Sequence, residues 1–212
     1  MSKAAPLATR WRATRLAILP LLVVPTLLVV AKGSLWPAVL GYHALCLGLP
    51  LVYRHGFTEV GFTVSNARRW VPLAGAISIA VLAVGEVGRH VNVATLLPAG
   101  WERVLSLAHP WWAFVIYSIL VNAFCEEYLW RGFLLPRTGV AWGGVLFWLM
   151  HAAAATVFVD AFAATWLTVP TLFAGLVWGW MRQRFGSLWP AFLTHLAADV
   201  AILRMAATLL RG

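Results

Sequence analysis

Acidic side chains are scarce in this sequence, which has seven of them in 212 residues against sixteen Lys and Arg. Charged residues make up 11% of the chain, where a water-soluble domain carries about a quarter. Cysteine is nearly absent too. Cys46 and Cys125 both lie inside apolar runs, which excludes a disulfide scaffold and a cysteine-rich zinc module. There is no internal repeat, no low-complexity stretch and no linker that would separate a second domain.

What fills the chain is apolar: 62% of its residues are hydrophobic, and mean hydropathy is +0.83. A soluble fold cannot hide that much apolar surface, so lipid is the solvent for most side chains. The net charge of +9 does not indicate nucleic acid. The basic residues sit at the ends of apolar runs, beside Trp and Tyr, where membrane helices are anchored.

A helical span needs about 20 apolar residues. Seven runs qualify: Leu16–Ala31, Leu35–Tyr53, Trp70–Val87, Pro110–Leu135, Val140–Ala163, Trp166–Met181 and Ser187–Leu203. The first is short and interrupted by Pro20 and Pro25, and is read as a retained helix, not a cleaved signal. Residues Leu96 to Leu107 suggest a further short or interfacial segment. The expected fold is therefore all-α: a polytopic bundle of about seven transmembrane helices (six to eight). It is one continuous membrane domain, with N-terminal helices over 1–109 and a core over 110–212. Basic residues near the inner loops (Lys3, Arg10, Arg12 and Arg15, then Arg54, Arg68 and Arg69, Arg137, and Arg182 with Arg184) predict a cytoplasmic N-terminus and an external C-terminus. The outer connections hold Lys32, a mixed Glu86, Arg89, Glu102 and Arg103 region, and Asp160.

With so few acids, each can be placed. Glu59, Glu86, Glu102 and Asp160 fall in loops or at span edges, where a solvated charge needs no special cause. Glu126, Glu127 and Asp199 lie within apolar helical runs, as do His151, His195 and Arg131. Ionisable groups are expensive there and mark functional sites by default. At 1.5 Å per residue, Glu126 lies roughly 15 Å from its helix's inner end, His151 roughly 16 Å and His195 roughly 12 Å. Three helices thus deliver polar residues to one level. Residues buried independently would scatter in depth.

Helical angles then divide the acids. Neighbours are about 100° apart, so Glu126 and Glu127 face different ways. Glu127 and Arg131 form an i,i+4 pair suited to a neutralising bridge, which leaves Glu126 available. His195 and Asp199 are also i,i+4, so the carboxylate can orient the imidazole. Phe147, four residues before His151, is expected to pack on its ring. Gly139/Gly143 and Gly175/Gly179 have the spacing that lets membrane helices approach closely. His43, His55, His90 and His109 lie near span boundaries and are expected to touch headgroups or water.

Glu126-Glu127-Tyr-Leu-Trp-Arg131, Phe147-Trp-Leu-Met-His151 and His195-Leu-Ala-Ala-Asp199 are, in order, EExxxR, FxxxH and HxxxD motifs. Each is weak alone; three in sequence on separate apolar helices are specific. The chain resembles the type II CAAX prenyl endopeptidases, also called the CPBP or Abi family of intramembrane glutamic proteases, over roughly Pro110 to Leu203. The resemblance implies peptide-bond hydrolysis by a glutamate-activated water, without metal or cofactor. Glu126 would be the base and His151 would hold the water. His195, with the residue at 199, would stabilise the oxyanion, a role worth roughly 3–4 kcal/mol in a dry pocket. Glu127 and Arg131 would hold the helix geometry. Many relatives carry Asn where this chain has Asp199; an ionised Asp only accepts hydrogen bonds, which favours orientation of His195 over direct donation.

The implied partners are a membrane-anchored or lipidated protein or peptide and the lipid bilayer, with no nucleic acid. The implied location is a bacterial inner membrane. Two other readings stand beside this one. A zinc metalloprotease would use the histidines and acids as ligands, although no HExxH or similar spacing is present. A non-catalytic immunity scaffold or transporter would use the same buried charges for binding, a transporter being expected to show repeats and broken helices.

Overall fold

The computed structural model describes residues 7–31, 33–53, 61–64, 66–91 and 100–209. Lys3, Lys32, Arg54, His55 and Glu59 lie outside the described residues. Among those described, every regular element is a helix. In chain order these are α1 (Leu7–Val30), α2 (Trp36–Val52), α3 (Ala67–His90), α4 (Gly100–Leu107), α5 (Trp111–Thr138), α6 (Val140–Ala155), α7 (Ala161–Phe185) and α8 (Trp189–Leu209). Six of the seven expected apolar runs fall on one helix each, and the seventh, Val140–Ala163, covers α6 and runs on into the start of α7. The short segment expected from Leu96 contains α4, with 96–99 outside the described residues.

α3, α5, α7 and α8 are long and apolar enough to cross a membrane, while α2, α6 and Arg15–Val30 within α1 are shorter apolar stretches. Large apolar side chains point outward from most of them, among them Leu22, Ile79, Val84, Trp112, Phe162 and Phe173. Helices satisfy their own backbone groups, so such faces can stand in hydrocarbon. The chain is an integral membrane protein folded as a helical bundle.

Two boundaries differ from expectation. α1 continues through Pro20 and Pro25 without a break, as membrane helices allow when neighbours re-satisfy the freed backbone groups. α6 stops at Ala155 and does not run on to Ala163. Its 16 residues rise roughly 24 Å, against a hydrocarbon core about 30 Å thick. The cause is Asp160: its Oδ1 accepts from the Phe162 and Ala163 backbone N–H groups, both at 3.0 Å, and starts α7. An acid that reads as a loop charge is an N-cap.

α5 is the central helix. Cys125 through Leu135 are buried on every side of it, and it packs against α2, α6, α7 and α8, while α3 lies along α8 and α1 along α2 and α6. Two tight turns set the C-terminal helices. Gly139, with φ 79°, joins α5 to α6, and Gly186, with φ 68°, ends α7, a backbone region that only glycine enters freely. Close approach of α6 and α7 rests on Gly175, where an added Cβ would stand 3.1 Å from the Gly144 Cα. The crossing pair is thus Gly144 and Gly175. Gly139 serves the turn, and the space beside Gly143 is filled by Thr138 and Leu135 of the preceding helix end.

Candidate active site

Glu126 lies on α5 between two stretches where the helix widens to i→i+5 bonding, Ser118–Asn122 and Glu127–Leu134. Such π segments are rare and concentrate at functional sites. Each residue there turns through less than the usual angle, so neighbouring side chains diverge less than in a regular helix. Apolar periodicity carries no sign of this change, which is why the division of the two acids by helical angle is incomplete.

Both acids meet the same imidazole. His195 Nδ1 is 2.9 Å from Glu127 Oε1, and its Nε2 is 3.5 Å from Glu126 Oε2. The two ring nitrogens lie on opposite edges, so carboxylates facing different ways can still converge on them. Glu127 Oε1 also accepts from Arg131 Nη1 at 3.0 Å, forming the expected i,i+4 bridge. Glu127 therefore has two partners where the helical spacing suggests one. The Arg131 guanidinium carbon lies 4.1 Å above the Phe147 ring and 4.9 Å from that of Trp178. Trp178 stacks on His195 with ring centroids 4.0 Å apart. Trp178 is a residue that sequence reasoning missed, since one Trp among 13 in an apolar chain carries no distinguishing signal.

His151 enters from α6. Its Nδ1 donates to the Phe147 carbonyl at 2.9 Å; a carbonyl only accepts, so the proton is on Nδ1. Nε2 then faces Glu126 Oε1 at 3.9 Å. The Phe147 ring packs edge-on against that of His151, with centroids 4.5 Å apart. Asp199, one turn beyond His195 on α8, places Oδ1 3.7 Å from His195 Nε2. It stands on the Glu126 side of the ring, while Nδ1 is held by Glu127. The two edges of the imidazole thus meet different carboxylates, Glu127 at Nδ1 and Asp199 with Glu126 at Nε2.

The burial pattern gives the cluster a closed and an open side. Glu126, Glu127 and Arg131 are 2% exposed or less and His195 4%, whereas the side chains of Asp199 and His151 are 16% and 29% exposed. Glu126 Oε2 and Glu127 Oε2 are buried without a hydrogen bond from the protein. A buried carboxylate oxygen left in that condition costs stability, which a function can justify. Among the described residues, no group of three or more His, Cys, Asp and Glu side chains is arranged to hold a metal ion.

His43 corrects an expectation. It is not at a boundary touching water but buried on α2, with Nδ1 2.7 Å from the Tyr117 hydroxyl and Nε2 3.0 Å from Asn122 Oδ1. Its position in an apolar run was legible, but its partners, both more than 70 residues away, were not. His90 pairs with Glu86 at the end of α3, and the carbonyl of His109 accepts from Trp36 Nε1.

The three motifs thus come together around one carboxylate in a membrane-embedded helical bundle. Residues 108–201 match the family model described as type II CAAX prenyl endopeptidase Rce1-like. That segment, somewhat under half of the chain, is what resembles this family of membrane proteases. No curated protein and no solved structure matches the chain.

Proposed function

We propose that the chain is an intramembrane endopeptidase that hydrolyses a peptide bond of a membrane-anchored or lipidated substrate with a water activated by Glu126. The observation that carries this reading is that Glu126, 2% exposed, faces Nε2 of both His151 and His195. A gap of 3.9 Å between Glu126 and His151 is too long for a direct hydrogen bond and suits a shared water. That water donates one proton to Glu126 and the other to the free lone pair of His151 Nε2.

The steps balance within these groups. Glu126 takes the proton from the water, and the hydroxide oxygen bonds to the scissile carbonyl carbon. The resulting oxyanion accepts from His195 Nε2–H, a role that requires the imidazolium form. Glu127 and Arg131 hold the other edge of that ring, and Asp199 lies beside the donating nitrogen. Collapse breaks the C–N bond, and the Glu126 carboxyl returns its proton to the leaving amine. Burial strengthens each of these interactions by excluding competing water. The open side of the cluster, at His151 and Asp199, is the side from which a substrate would reach it. C-terminal processing of a lipid-modified chain fits both the family and the membrane setting.

The test is cleavage of a farnesylated, internally quenched peptide ending in a Cys-aliphatic-aliphatic-X sequence by purified protein in liposomes. Glu126→Gln is expected to lower kcat by at least about a thousandfold, the scale of losing a general base together with the water it holds. The variant should insert and melt like the parent. Full activity of purified Glu126→Gln would remove the assignment.

A further inference from the structure

α2 lies outside the family-matched segment, yet a side chain from it is wired to the site. His43 is 3% exposed, and a polar ring buried in a membrane bundle is stable only when its nitrogens find partners. Both do: Tyr117 at Nδ1 and Asn122 at Nε2. Asn122 continues the chain, since its Nδ2 lies 3.4 Å from Asp199 Oδ2.

The direction of every bond follows from the last acceptor. A carboxylate can only accept, so Asn122 donates from Nδ2 and keeps Oδ1 as an acceptor. His43 Nε2 must then carry the proton that Oδ1 receives. Nδ1 of the neutral ring is left as an acceptor, filled by the Tyr117 hydroxyl. The order Tyr117, His43, Asn122, Asp199 runs donor to acceptor without conflict. It ends at the carboxylate whose other oxygen stands 3.7 Å from His195 Nε2.

We propose that His43 is a positioning residue of this site: acting through Asn122, it supplies Asp199 with an N–H donor and so fixes where that carboxylate stands beside His195. Resting on the proposed hydrolysis, this adds to the site a residue that none of the three motifs contains. It also gives α2 a part in the chemistry, with the substrate never touching it.

The test uses the full chain in liposomes and the same farnesylated peptide. His43→Phe keeps a ring and loses both nitrogens; it should lower kcat about ten- to a hundredfold, the scale of a hydrogen bond to a charged group, with KM changed less than about twofold. His43→Gln can still present an N–H at the position of Nε2 and should recover to within about threefold of the parent. In an Asp199→Ala background, His43→Phe should cost less than about twofold more, because the acceptor at the end of the chain is already gone. Equal losses in both backgrounds, or a Gln variant as poor as the Phe variant, overturn the inference and leave the hydrolytic reading standing. An Asp199→Ala variant at full activity overturns the inference together with the assignment of Asp199. Should His43→Phe fail to fold, Asn122→Leu breaks the same chain at its middle and serves in the same cycle.

A readout without substrate is the rate at which dicyclohexylcarbodiimide labels Asp199, followed by peptide mass. The rate should change several-fold in His43→Phe and Asn122→Leu and remain at the parent value in His43→Gln. An unchanged rate in all three overturns the inference even if the peptide is not a substrate.

Discussion

α3 and α5 are both long enough to cross a bilayer, with hydropathies of 1.9 and 1.2, and the more apolar of them is the one less buried inside the protein. α3 buries Trp70 and Ala74 and turns Val71, Ile79, Val84 and Val87 outward. α5 is enclosed by other helices from Cys125 to Leu135 and carries Glu126, Glu127 and Arg131 in that stretch. In water the order would be reversed, since the most apolar helix would seek the core. In lipid, hydrophobicity does not distinguish outside from inside, and polar groups are what must be surrounded. High hydropathy therefore marks the lipid-facing helix and moderate hydropathy the working one.

The largest effect that sharpens this contrast is on stability. Arg131→Leu leaves Glu127 as a buried carboxylate without its guanidinium and removes the cation lying over Phe147 and Trp178. Removing one partner of a buried ion pair costs about 3–5 kcal/mol. The expected outcome is a loss of that size in unfolding from mixed micelles, with apolar substitutions at Ile79 on α3 changing almost nothing. Equal tolerance at the two positions would break the comparison.

A slightly smaller effect is expected on the reaction itself. His195→Gln keeps a polar side chain in place but loses the imidazole that sits between Glu127 and Glu126. Loss of one preorganised oxyanion donor lowers kcat by about 10²–10³-fold. Steady-state kinetics on the farnesylated peptide should show this loss mainly in kcat. A change confined to KM would move His195 from the chemistry to substrate binding.

Much of this contrast was readable in the amino-acid order, for a physical reason. Seven acids in an apolar chain are conspicuous, and depth along a helix follows from residue counting, so Glu126, His151 and His195 could be assigned to one level. The helices themselves follow from apolar run length. What escaped depends on partners distant in sequence or on backbone geometry without a compositional signature. Glu127 opens a π segment of α5 and reaches His195, on a helix 68 residues away in sequence, as well as Arg131. The Asn122 amide links His43 to Asp199 across elements that no motif joins. The early end of α6 turned on whether Asp160 was solvated or capping the next helix.

The smallest expected effect comes from the acid on α3 that most resembles Glu127. Glu86 also pairs with an arginine on its own helix, Arg89, and reaches Arg204 on α8 at 3.2 Å, but its side chain is 38% exposed. Glu127 pairs with Arg131 at 0%. The two share residue type, partner type and near-identical spacing, so burial is what separates them. At Glu86, water and mobile ions screen the pair, and either side chain can be solvated when the other is removed. At Glu127 no such alternative exists, and the same acid also holds His195. Glu86→Gln should therefore leave activity and unfolding at the parent values, with any small change vanishing in high salt. Glu127→Gln should lower both, and salt should not restore them. If Glu86→Gln proved as damaging as Glu127→Gln, the end of α3 would have to be counted as part of the working region, and the division between a lipid-facing helix and a buried one would fail.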